Sequence, residues 1–171
     1  VTDALSDLLF TYSDDATANL RAENVPASCI FQTGNVMIDT LFRFREKAAH
    51  STILDKLGLE PKGYALATLH RPSNVDDEQI LSGLLGALDE IQREIPIAFQ
   101  LHPRTKARIE TFGLQSRLDA MANVQTIGPQ GYLDIVKLQE NARLALTDSA
   151  GIAEETTALQ VPCLTLRENT E

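Results

Sequence analysis

The chain has 171 residues, 43% of them hydrophobic and 23% charged, a balance that excludes disorder and collagen and suits one complete domain plus an appendage. Fifteen Lys and Arg against 24 Asp and Glu leave a formal net charge of -9, which repels phosphate polymers and anionic lipid, so unspecific nucleic-acid binding is excluded while a local anion site is not. Cys29 and Cys163, the only cysteines, lie in apolar stretches (ASCIF and VPCLTL) as buried reduced thiols of a cytosolic protein do, and no apolar run approaches the roughly 20 residues that span a bilayer.

The chain opens on Val1 with neither Met nor a basic-then-apolar leader, and the expectation is a piece of a longer cytoplasmic protein without a secretory signal. A strand is predicted over 7–12, a helix capped by Ser13 over 14–23, and a second strand over 29–33, ending at Gly34. Val36, Ile38, Leu41, Phe42 and Phe44 then follow a mostly helical period over 35–49, with Arg43, Arg45, Glu46 and Lys47 facing away. Ser51 caps a short helix closing at Gly58, and Pro61, Lys62 and Gly63 mark a turn. The organisation read from this is an opening strand–helix–strand over 1–34, connecting helices over 35–62, and a main domain over 63–171.

In the main domain, strands are predicted over 64–69, 97–101, 124–127, 144–147 and 162–166. Helical patterns separate them at 75–93, 105–112 with 115–121, 133–140 and 151–159. Alternation of this kind predicts an α/β fold: a doubly wound, Rossmann-like parallel sheet with helices on both faces and a ligand at the carboxyl ends of the strands. Those ends carry His70-Arg71-Pro72, His102-Pro103-Arg104, Gly128-Pro129-Gln130-Gly131 and Asp148-Ser149-Ala150-Gly151. Guanidinium forks match phosphate oxygens, and small residues let backbone N–H groups approach them. The last segment puts Ser149 and the amides of Ala150 and Gly151 at a helix N-terminus, which favours an anion. Plainer roles stand beside these: His70 or His102 as a cap or surface residue, Asp148 and Ser149 as N-cap chemistry, Gly128 to Gly131 as a turn. Glu154 and Glu155 read as first-turn carboxylates that complement the helix dipole, and Asp76-Asp77-Glu78 as a solvated helix start. No metal-ligand spacing is present.

The ordered series ATLHRPSNVDD, LHPRT, GPQGYLDIVKLQENARLALTDSAGIAEE and VPCLTLRENTE closely resembles the non-hydrolysing UDP-N-acetylglucosamine 2-epimerases. SDLLF, RAENVP and CIFQTGNVMIDTL resemble the family's passage from its amino-terminal to its carboxyl-terminal domain, so the resemblance covers nearly the whole chain. It implies the carboxyl-terminal domain of a glycosyltransferase-B fold, preceded by a remnant of the amino-terminal one. It also implies interconversion of UDP-GlcNAc and UDP-ManNAc through UDP elimination to a 2-acetamidoglucal and re-addition, with no cofactor and with a homodimer as the full-length state.

Carried over by residue, Ser149, Ala150 and Gly151 hold the diphosphate and Glu155 the ribose hydroxyls. Gln130, Gly131 and Tyr132 lie in the uracil-contacting loop, and His70 is the catalytic candidate near diphosphate and sugar. Arg71, His102 and Arg104 fall in cleft segments. Many members have Gly-Gly where this chain has Ala150-Gly151, a methyl that is tolerable if φ there is negative. The family's C2-proton carboxylates and one UDP-contacting Arg belong to the amino-terminal domain, and members continue past the point matching Glu171 to a further Arg. A retaining glycosyltransferase, a hydrolysing epimerase or a non-catalytic nucleotide-binding domain on the same fold are the alternatives.

Overall fold

The computed structural model of the chain describes residues 2–168. It divides into two compact units, Val1–Arg43 and Phe44–Glu171, the division falling inside one helix. The first unit holds α1 (Thr2–Leu5), β1 (Leu9–Thr11), α2 (Asp14–Ala22), a 3₁₀ turn over Ala27–Cys29, β2 (Ile30–Gln32) and the start of α3 (Val36–Ala49). Ser13 caps α2 as its residue type predicts, accepting the Ala16 N–H at 3.1 Å. The two strands pair in parallel with Phe10 opposite Phe31. Leu9 and Thr11 turn inward and Phe10 outward, as the period of two requires.

The second unit continues through α4 (Ile53–Leu57), β3 (Ala65–Leu69), α5 (Pro72–Val75), α6 (Glu78–Ile91), β4 (Ile97–Leu101), α7 (Pro103–Thr111), α8 (Gln115–Asp119), β5 (Val124–Ile127), α9 (Tyr132–Asn141), β6 (Leu144–Thr147), α10 (Ala150–Ala158) and β7 (Cys163–Thr165). Its strands form one parallel sheet in the order β5-β4-β3-β6-β7, the predicted doubly wound α/β arrangement. β3 is buried on both faces, so its side chains feed two cores. Ala65, Ala67 and Leu69 pack with Ile97 and Phe99 of β4, Leu81, Leu85 and Leu88 of α6 and Ile109 of α7. Tyr64 and Leu66 pack on the other side with Ile53 and Leu54 of α4 and Leu138 of α9. Burial pushes the Tyr64 hydroxyl pKa well above its usual value, and its O–H donates to the Leu138 carbonyl at 2.6 Å.

Several sequence expectations shift. Gly58 closes α4 with φ 64, as read, but the N-cap is Thr52 and not Ser51, which one residue earlier accepts the Ile53 N–H at 3.2 Å and donates to Asp134 in the first turn of α9. The single helix expected over 75–93 is two. Pro72 starts α5, where a missing N–H costs nothing, and Asp77 then takes an extended conformation and caps α6 by accepting from Gln79 and Ile80. Cys29 and Cys163 are free but only half-buried, not the buried thiols their apolar neighbours suggested. Among the described residues no helix is long and apolar enough to cross a membrane.

Candidate functional site

Successive strands leave β3 on one side toward β4 and β5 and resume on its other side at β6, so the order reverses between β3 and β6. In open α/β sheets such a point leaves a crevice beyond the carboxyl ends, because the flanking crossovers diverge there. Register fixes what lines it. Thr68 pairs with both Gln100 and Thr147, and Gln100 pairs with Ile127. Two residues further along each strand lie His70, His102, Pro129 and Ser149, and these four line one open pocket of about 390 Å³.

The β6 side supplies the anion-binding geometry. Ser149 is extended and caps α10, its Oγ accepting from Ile152 at a long 3.4 Å while its own N–H donates to Thr147 Oγ1 at 3.0 Å. The amides of Ala150 and Gly151 belong to the first turn of the helix, where intrahelical acceptors do not exist, and they have no partner among the described residues. Ala150 does not have positive φ, so its methyl is accommodated there without backbone strain.

Asp148 has a role that its position before the cap did not suggest. It is fully buried, and its carboxylate accepts the backbone N–H groups of His70 (3.1 and 3.0 Å) and Arg71 (2.8 Å) and the Asn74 amide (3.0 Å). The His70 ring adds Nδ1 at 2.9 Å from Oδ1. Asn74 also donates to the Leu166 carbonyl at 2.8 Å, and Arg71 Nε to the Asp148 carbonyl at 3.2 Å. One carboxylate thus ties the end of β3 to that of β6, with Asn74 extending the tie to the residue after β7.

Glu155 lies in the second turn of α10, not the first, and no acidic residue occupies the first turn. Dipole complementation therefore does not explain it. It is 8% exposed and accepts from Tyr132 Oη at 3.0 Å and Gln139 Nε2 at 2.8 Å. Burial, and then the bond to this carboxylate, push the Tyr132 hydroxyl up to about 12. Gln139 is fully buried and its Oε1 has no partner among the described residues. Gly131, the N-cap of α9, has φ -67, and a Cβ there meets nothing within 4 Å. The chain's own packing does not demand glycine at that position.

The β4 side is less committed to the pocket. His102 Nδ1 accepts the Arg104 N–H at 3.2 Å, and its ring centroid lies 5.5 Å from that of His70. Arg104 turns to Asp76, which Arg108 also reaches through Nε at 2.9 Å. These two guanidinium bonds hold the Asp76 carboxyl down at about 2, and Asp76 in turn raises the pKa of Arg104. Asp76 is therefore an ion-pair centre and not the solvated helix start expected of its acidic run. Gln130 folds back on the Gly128 carbonyl at 2.9 Å. Of the residues singled out from sequence, His70, His102 and Ser149 share one pocket, Arg71 lines the neighbouring one, Tyr132 and Glu155 meet each other, and Arg104 is engaged elsewhere.

The sequence profile of UDP-N-acetylglucosamine 2-epimerases matches residues 1–171. The chain is 37% identical over 176 residues to the UDP-N-acetylglucosamine 2-epimerase of Methanocaldococcus jannaschii, covering all of this chain and 48% of that protein. It is 38% identical over 175 residues to the UDP-2,3-diacetamido-2,3-dideoxy-D-glucuronate 2-epimerase of Pseudomonas aeruginosa, again over the whole chain and 46% of that protein. The crystal structure of the Methanocaldococcus jannaschii enzyme in complex with UDP-GlcNAc and UDP has a TM-score of 0.92 at 37% identity, over 99% of this chain and 48% of that one. The Neisseria meningitidis enzyme bound to UDP-GlcNAc has a TM-score of 0.82 at 29% identity, over 99% of this chain and 47% of that one. The chain spans about half the length of the curated relatives it matches. Profile, sequence and fold agree over its length, and the chain belongs to the UDP-N-acetylglucosamine 2-epimerase family.

Proposed function

We propose that this chain is the carboxyl-terminal, UDP-binding half of a UDP-GlcNAc 2-epimerase, which interconverts UDP-GlcNAc and UDP-ManNAc by eliminating UDP and adding it back. The observation that carries this reading is the pair of unpartnered amides, Ala150 and Gly151, at the capped start of α10, beside His70 and in the crevice where strand order reverses. That site suits a diphosphate, because the amides and the helix end supply fixed positive potential without reorganisation. As the glycosidic C1–O bond breaks, the departing oxygen joins the diphosphate, and the same groups stabilise the charge that develops on it.

The remaining roles follow from what each side chain offers. Glu155, buried with one bond on each oxygen, keeps acceptor capacity for the ribose diol. Gln130, Gly131 and Tyr132 border the uracil, with the space beside Gly131 as its entry. His70 stands at the leaving oxygen, with Arg71 and His102 around the phosphates and sugar, and Arg104 holds the loop through Asp76. In this reading residues 1–34 are the last strand–helix–strand of the amino-terminal domain, 35–62 the connection and 63–171 the UDP domain. Carboxylates of the amino-terminal domain take and return the C2 proton, and the full-length protein is a cytoplasmic homodimer, a state that sedimentation of that protein tests. The free thiols agree with a reducing compartment.

Calorimetry tests the nucleotide reading: UDP should bind more tightly than UMP, and UMP more tightly than uridine. Equal binding of uridine and UDP would refute it. The Pseudomonas aeruginosa relative favours a second reading of the sugar, because a protein 38% identical to this chain is named for a 2,3-diacetamido glucuronate. Turnover of UDP-GlcNAc against that UDP-sugar by the full-length protein decides between them.

A further inference from the structure

The mechanism above uses His70 but leaves the buried charge beside it without a task. Two backbone N–H groups and the Asn74 amide already account for a carboxylate at the junction of β3 and β6. The Arg71 N–H and the Asn74 amide meet Oδ2, the His70 N–H is shared between Oδ2 at 3.0 Å and Oδ1 at 3.1 Å, and the ring nitrogen of His70 meets Oδ1. Oδ2 thus holds only the loop, while Oδ1 holds the imidazole and shares one loop N–H.

A carboxylate only accepts, so a ring nitrogen 2.9 Å from it carries hydrogen. The imidazole is then fixed with hydrogen on Nδ1, and Nε2, on the far side of the ring, has no partner among the described residues. With Nδ1 turned to a fully buried group and the side chain 38% exposed, the edge that lines the pocket is the one bearing Nε2. We propose that Asp148 is the positioning residue of His70, dictating the Nδ1–H tautomer and presenting Nε2 to the leaving diphosphate oxygen. This rests on the epimerase reading for its function, though not for its geometry. When Nε2 carries a proton, the ring is a cation between the Asp148 carboxylate and the diphosphate. When that proton is given to the departing oxygen, the electron pair of the C1–O bond has gone to that oxygen, and the ring returns to the neutral tautomer that Asp148 favours. Re-addition reverses each movement, so no co-reactant is consumed.

Asp148→Asn separates the two tasks. Its single oxygen best replaces Oδ2, which alone serves Arg71 and Asn74 and takes the shorter arm of the shared His70 N–H, and this leaves its amide nitrogen at the Oδ1 position facing Nδ1. Two N–H groups cannot face each other, so the ring hydrogen moves to Nε2 and the fold is kept. Nitrogen-15 NMR of histidine-labelled full-length protein, recorded with the ring neutral, should show His70 with hydrogen on Nδ1, and Asp148→Asn should invert the pattern. Hydrogen on Nε2 in the unsubstituted protein, or an unchanged pattern in the variant, overturns the proposal. Epimerase kcat should fall about 10²-fold or more in the variant, as for loss of an acid–base group. In a His70→Ala background the same substitution should change kcat less than about threefold, because a residue acting through His70 has nothing left to act on. An additive loss overturns the proposal by showing that Asp148 serves the loop alone. If Asp148→Asn does not fold, the spectrum of the unsubstituted protein still decides the tautomer. UDP titration of the same sample judges the nucleotide reading separately, since a protein that ignores UDP refutes that reading whatever the tautomer.

Discussion

Glu155 shows how one turn of helix changes what a carboxylate is for. A carboxylate in the first turn of α10 would stabilise the helix by about 0.3–1 kcal/mol and nothing more, but Glu155 is a turn further in and buried against Tyr132 and Gln139. Glu155→Gln is the discriminating change, because the site tolerates it: the new carbonyl faces Gln139, and the new amide donates to the Tyr132 oxygen, which accepts as readily as it donates. The melting temperature should therefore move little. UDP affinity should fall by about 1.5–3 kcal/mol, the range for hydrogen bonds to a charged group, while 2′,3′-dideoxy-UDP should bind both proteins alike. Equal loss for both ligands would remove Glu155 from ribose recognition. The residue type and the strand–Ser–helix context were legible in the sequence. The burial of Glu155 was not, because the partners that enclose it, Tyr132 and Gln139, come from α9, and sequence order does not show that α9 packs on α10.

At the scale of elements, α5 and α7 are the short helices that follow the two histidine-bearing strands, and Asp76 joins them through Arg104 and Arg108. Because the carboxyl is held down at about 2, below the ordinary value near 4, the folded state binds this proton less well than the unfolded chain does. Its contribution to stability is complete above about pH 4 and is lost as pH falls toward 2. The melting temperature of Asp76→Asn should lie below that of the unsubstituted chain at pH 7 and converge on it between pH 4 and 2. A constant difference across that window would show that the ion pairs contribute nothing. The i, i+4 spacing of Arg104 and Arg108 is visible in the sequence, but their partner lies 28 and 32 residues upstream, a pairing that only the adjacency of β3 and β4 creates. Asp148 was obscured for the same reason. Strand alternation places it at the end of β6, yet its contact with His70 depends on β6 lying beside β3, the one neighbour relation in the sheet that skips two strands. What the sequence did carry was every consecutive strand and every rim segment, since hydrophobic runs and turn residues are local.

At the scale of the molecule, the rim brings together the capped start of α10, two buried carboxylates and the imidazoles of His70 and His102, and that set is too small for epimerisation. Inverting C2 requires one group to take the proton on one face and another to return it on the other, each within hydrogen-bonding reach or one water away. Asp148 is enclosed by its four donors and Glu155 is held by Tyr132 and Gln139, so neither is free to approach a sugar carbon. Asp76 is occupied by two guanidinium groups. In the first unit α2 covers one face of the two-stranded sheet through Thr11 and Thr17, while Phe10 and Phe31, 65% and 44% exposed, lie against each other on the other face. The chain by itself should therefore bind UDP and turn over nothing, since each missing acid–base group costs about 10²–10⁴-fold in rate. Incubation with UDP-GlcNAc in deuterium oxide is the sensitive measurement, because a single reversible proton abstraction labels C2 even when no UDP-ManNAc accumulates. The expected result is no deuterium at C2 above the protein-free control, together with labelling by the full-length protein under the same conditions. Incorporation by the chain alone, abolished by His70→Ala, would place the C2 chemistry on this half, with His70 as its base.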